Sequence, residues 1–132
     1  MTISMNPFLK TTLRFDAAVS GAAALLMAAG AALLGPFLNL PVPLLFWAGV
    51  MLFPFVALLI VVARRESASR ILLFDIVLLN AAWVLASFVI LVAGVIEPNM
   101  FGVTFVVAQA LAVALFALLQ VSALRRVRKA AA

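Results

Sequence analysis

Residues 43–94 read PLLFWAGVMLFPFVALLIVVARRESASRILLFDIVLLNAAWVLASFVILVAG: two long apolar runs on either side of a short polar knot that carries Arg64, Arg65 and Arg70. Each run is near the ~20 residues an α-helix needs to cross the hydrocarbon core of a bilayer. Neither alternates in polarity, as a transmembrane β-strand of about ten residues would, and Val50 to Ala63 is apolar on every side. The segment is therefore read as two membrane helices joined by a tight turn. Outward from it, residues 14–37 and 102–124 form two further apolar runs. The four expected spans are 14–37, 43–63, 71–94 and 102–124, connected by short loops that suit antiparallel neighbours.

Composition agrees. Of 132 residues, 69% are hydrophobic and 10% charged, against roughly 45–50% and 25% in an ordinary soluble domain. So few charges cannot cover a water-exposed surface, and a soluble fold is excluded. The fold class expected is all-α: a single membrane domain over residues 1–132, a four-helix bundle of two helical hairpins. The chain contains no His, Cys or Tyr, which removes the usual general base, imidazole and thiolate metal ligands, and triad chemistry. No catalytic, cofactor-binding or metal-ligating residues are assigned, and no enzyme activity is expected.

The nine Lys and Arg are Lys10, Arg14, Arg64, Arg65, Arg70, Arg125, Arg126, Arg128 and Lys129. All precede the first span, lie between the second and third, or follow the fourth. The positive-inside rule then puts both termini and the central loop in the cytoplasm, in a multi-pass protein of the bacterial inner membrane. The net charge of +5 flanks apolar segments, so the partner expected for it is lipid headgroups and not nucleic acid. Arg125, Arg126, Arg128 and Lys129 form a polybasic end that anchors this topology. The first apolar run exceeds the ~7–15 residues of a signal-peptide core and is read as an integral span, with Asn6 as N-cap and Pro7 at the first helical position.

Aligning residue 13 with residue 72 superposes Leu13, Phe15, Asp16, Ala22, Ala23, Leu26 and Gly35 on Leu72, Phe74, Asp75, Ala81, Ala82, Leu85 and Gly94. Each half also ends in an Arg pair, Arg64-Arg65 and Arg125-Arg126. This suggests a parallel internal repeat with halves of about 13–65 and 72–126. It gives Asp16 and Asp75 equivalent places near a membrane boundary, where ion pairs with Arg64, Arg65, Arg125 and Arg126 would fix hairpin register. The alternative, a carboxylate that binds a proton or cation, wants a position nearer the midplane.

Within the spans, Ala17, Gly21, Ala24, Ala28, Ala31 and Gly35 follow steps of four and three, forming a seam on which another helix can pack closely. Asn80, Trp83 and Ser87 share one face of the third span, and Gln109 reaches a similar depth on the fourth. Such groups should face the bundle interior. They are expected either to hydrogen-bond the two helices together or to line a small ligand pocket. Gln120 falls on nearly the same line of the fourth span as Gln109. Pro54 predicts a bend that frees the Val50 carbonyl. Trp47 suits the interfacial aromatic belt.

With LRFDAAVSG opening the first span, NAAWVLAS in the third and AQALAVALFALLQ followed by LRR in the fourth, the chain resembles a group of small uncharacterised four-helix membrane proteins of bacteria. That resemblance implies no activity, no cofactor and no site residues. The functional expectation is a non-enzymatic accessory or structural subunit. It would pack with itself or a larger membrane complex through the small seam and the polar face of the third span. The alternative is a small transporter or channel that must oligomerise.

Overall fold

The computed structural model describes residues 2–131, and side chains for residues 4–126. Its elements in order are β1 (Thr2–Ser4), α1 (Pro7–Ala29), α2 (Ala31–Leu38), α3 (Val42–Arg64), β2 (Ser67–Ser69), α4 (Arg70–Val92) and α5 (Met100–Ala131). Four helices are long and apolar enough to cross a membrane, namely α1, α3, α4 and residues Met100–Arg126 of α5. Large apolar side chains such as Leu33, Leu85, Val92 and Leu118 point outward around the bundle. That surface suits lipid and no aqueous solvent.

Local chemistry sets the boundaries. Asn6 caps α1, its Oδ1 accepting from the Leu9 N–H at 2.6 Å, with Pro7 following. The first apolar run is two helices and not one, because the chain breaks at Gly30, whose amide closes α1 on Leu26 O while its carbonyl starts α2. Asn39 then takes a left-handed conformation at φ 55°, which the Leu40 N–H to Gly35 O bond secures, and the chain reverses into α3. Gly35 must lack a side chain here, since a Cβ would meet Val42 Cγ2 at 2.5 Å. The helix α3 continues through Pro54.

The helices run up and down, so one end of the bundle gathers both termini and the α3–α4 loop. There β1 pairs antiparallel with β2, Met5 N–H donates to Glu66 O, and the Arg126 guanidinium lies 4.6 Å from the Phe8 ring centre. This small ribbon was not expected from residues 64–70, where Ser67, Ala68 and Ser69 have small side chains. The described Lys and Arg all belong to this basic end; the side chains of Arg128 and Lys129 lie outside the described residues. At the other end, Asn99 ties the hairpins together. Its Nδ2 donates to Phe37 O, its N–H to Leu38 O, and its Oδ1 caps α5 at Gly102 N–H. Phe37 and Phe101 stack there at 5.1 Å.

Packing is uneven. The most extensive interfaces are α1 on α3 and α4 on α5, and α1 on α5 joins the two hairpins. The seam on α1 lies inside the chain: Ala17, Ala24, Ala31 and Gly35 are buried, Gly21 and Ala28 partly so. Its partner is Gly49 of α3, where a Cβ would meet Ala28 N at 2.6 Å and Ala24 O at 2.9 Å. In contrast, α3 and α4 make almost no contact. A two-fold repeat would pack α3 on α4 as it packs α5 on α1, so the halves differ in their surroundings.

Candidate functional site

The polar residues of the bundle form two clusters, one above the other along its axis. The first is built on Asp16, whose side chain is fully buried. Ser20 Oγ–H donates to its Oδ1 at 2.8 Å, while Asn80 Nδ2 and Gln120 Nε2 donate to its Oδ2 at 3.0 and 2.7 Å. Asn80 Nδ2 also donates to Gln120 Oε1 at 2.9 Å, which closes the ring. Three spanning helices, α1, α4 and α5, thus meet on one carboxylate, and its partners are neutral.

Asp16 therefore corrects the reading of interfacial ion pairs. Among the described residues no Lys or Arg is ion-paired with a carboxylate. Arg64, Arg65, Arg125 and Arg126 are exposed, Asp75 is exposed, and Arg126 packs on Phe8. The physical reason is helix phase and length. Asp16 and Ser20 share the stripe of α1 that buries Leu9, Leu13, Ala24 and Met27, so the side chain points into the bundle. About 13 Å of helix precedes it from Pro7, which brings it level with Asn80 in the middle of α4. Asp75 sits on an outward face of α4.

The second cluster lies nearer the Asn99 end. Trp83 Nε1–H donates to Gln109 Oε1 at 2.6 Å, Gln109 Nε2 donates to Ser87 Oγ at 2.9 Å and to Val106 O at 2.8 Å, and Ser87 Oγ–H donates to Trp83 O. Of the candidate quartet, Trp83, Ser87 and Gln109 come together, and Asn80 joins the Asp16 ring instead. Sequence reasoning missed Ser20 and left Gln120 outside the quartet. The signal for both was available: Ser20 lies one turn from Asp16 on the buried stripe, and Gln120 is in line with Gln109. No buried polar side-chain atom lacks a partner among the described residues.

A cavity of about 380 Å³ opens where α3 and α4 fail to meet. Its walls come from all four spanning helices: Met27 of α1, Phe55 of α3, Leu79 of α4 and Phe116 of α5 are representative. Ser20, Asn80, Trp83 and Gln109 supply its polar surface. A second cavity of about 170 Å³ lies beyond Met27, Trp83 and Gln109, which line both. Against models of protein families, curated proteins and solved structures, nothing matches this chain. The larger cavity is within the ~300–1,000 Å³ usual for small-molecule sites, and mostly apolar walls with a few placed polar groups are the usual makeup of such sites. Among the described residues no three acidic side chains gather as a metal would require.

Proposed function

We propose that this chain is a non-enzymatic protein of the bacterial inner membrane, both termini cytoplasmic, that holds a small lipid-soluble molecule in the cleft between its hairpins. The observation that carries the reading is the cleft itself: an apolar chamber bounded by all four spanning helices, with Ser20, Asn80, Trp83 and Gln109 on its wall. The gathering of Lys and Arg at one end supports the orientation. In this reading the hairpins stem from a parallel repeat whose halves diverged when Asp16, but not Asp75, was taken into the bundle.

The accessory-subunit reading loses the two surfaces first assigned to it, because the small seam and the polar face of α4 are both engaged within the chain. One observation still favours association with a second copy or a larger complex. Ala18, Ala22 and Ala29 are exposed along the outer side of α1, where a helix could approach closely. A carrier is the related alternative for the cleft.

The test is purification in a mild detergent, followed by organic extraction and mass spectrometry. A stoichiometric small molecule that is absent from an Ala23→Phe variant with an unchanged melting temperature supports the proposal. A stoichiometric protein partner with an empty cleft overturns it in favour of the subunit reading. Passage of the molecule across proteoliposomes would make the protein a carrier.

A further inference from the structure

Hydrogen-bond accounting on the cleft wall gives its polarity. Four polar side chains face the cavity, and every N–H and O–H they carry already has a protein acceptor. The Ser20 hydroxyl is spent on Asp16. Both Asn80 amide hydrogens go to Asp16 and Gln120. The Trp83 indole N–H goes to Gln109, and the Gln109 amide goes to Ser87 and Val106. What remains is acceptors: the lone pairs of Ser20 Oγ, the carbonyl oxygen Asn80 Oδ1, and the second lone pair of Gln109 Oε1. The opposite wall adds to this. Pro54 lines the cavity and brings no N–H to it.

The nearest acidic group lies in the same direction. Directly behind Ser20 and Asn80 lies the Asp16 carboxylate, fully buried, surrounded by neutral donors and with no Lys or Arg paired to it. A molecule that touches Ser20 Oγ is one hydrogen bond away from that carboxylate.

We infer that the cleft selects a lipophilic cation: an apolar molecule carrying a protonated amine, whose N–H groups meet the acceptors of Ser20 and Asn80 in front of Asp16. An anion, or a molecule with only carbonyl or ether oxygens, finds no donor there. The inference rests on the cleft being a binding site and specifies its ligand class.

The experiment uses the full chain in nanodiscs of neutral phosphatidylcholine. The chain's two tryptophans are Trp47 and Trp83, and Trp47 is outside the cavity and largely exposed. Trp47→Phe therefore leaves Trp83 as a reporter on the cleft wall, and Trp83→Phe serves as the control for bulk partitioning. The probes share one chain length: decylamine, decanol and decanoate at neutral pH. Saturable changes in Trp83 emission should rank decylamine first, with decanoate at least about tenfold weaker, since a carboxylate brings no N–H or O–H to a wall of acceptors. In Asp16→Asn the amine should fall to the level of decanol. Saturable binding of decanoate as tight as that of decylamine overturns the cation inference and leaves a binding cleft in place. No saturable response to any probe overturns the binding reading with it. The ranking in the protein that retains Asp16 decides the matter even where Asp16→Asn does not fold.

Discussion

Asn80→Leu is the most direct test of the ring around Asp16. Leu is close to Asn in size, so the change removes hydrogen bonds with little alteration of volume. Asn80 Nδ2 donates at 3.0 Å to the carboxylate and at 2.9 Å to Gln120 Oε1. An interhelical hydrogen bond within a membrane protein contributes about 0.6 kcal/mol on average, and one to a charged group about 1.5–3 kcal/mol. The two together give a destabilisation of about 2–4 kcal/mol. It should be read from reversible unfolding, by titrating a denaturing detergent into mild-detergent micelles and following helical circular dichroism. Gln120→Leu, which removes the 2.7 Å bond to the same carboxylate oxygen, completes a double-mutant cycle. Because Asn80 and Gln120 bond each other and share Asp16 Oδ2, the double variant should lose about 1 kcal/mol less than the two single losses combined. An Asn80→Leu protein within about 0.5 kcal/mol of the parent, the range of surface substitutions, would refute the ring. So would strict additivity.

Asp16→Asn should destabilise by about 1–3 kcal/mol, because its amide would face the donors Asn80 and Gln120; Asp75→Asn, on an exposed position, should change stability by less than about 0.5 kcal/mol. Equal effects in the same detergent titration would restore the ion-pair reading. Gly49→Leu should cost at least about 1–3 kcal/mol through overpacking, since even a Cβ reaches within 2.6 Å of Ala28 N; a melting temperature unchanged in mild detergent would contradict the close approach of α1 and α3. Asn99→Ala removes the cap of α5 and the tie to Phe37 O, a loss of about 1 kcal/mol for the cap, and should raise hydrogen exchange at Gly102 and Val103 while leaving the Asp16 end protected.

Hydropathy made the spans legible because apolar length is a one-dimensional property. Residues 43–63 and 71–94 closely match α3 and α4. The break at Gly30 was not legible, since Gly, Ala and Leu also read as one continuous apolar helix. The polar residues were legible as a set of intramembrane groups but not as two clusters. Their sorting depends on the relative rotation and vertical offset of α1, α4 and α5, to which a single helix's periodicity is blind. Asp16 shows the cost of reading an acidic residue by its place relative to neighbouring arginines: Arg14 is two residues away and points elsewhere, whereas Asn80 and Gln120, remote in the chain, are its partners.

The difference between the two hairpins makes the cleft. On α1 the seam of small residues lets Gly49 bring α3 against the helix backbone, so the first hairpin is thin at its centre. The corresponding face of α4 carries Asn80, Trp83 and Ser87, which reach across to α5 and hold the second hairpin through side chains. Asp16 then ties α4 and α5 to α1 through hydrogen bonds. With α1 and α5 joined and each hairpin closed on itself, α3 and α4 are left apart, and the gap between them is the chamber lined by Met51, Phe55, Leu79 and Phe116. Filling that gap from within would require bulk on α1 at Ala23, and an aromatic side chain there should close the chamber without disturbing the ring around Asp16 about two turns away. The buried carboxylate is thus tied to the cavity by architecture as well as by hydrogen bonds: the group that draws three helices together is the group that leaves the fourth interface open.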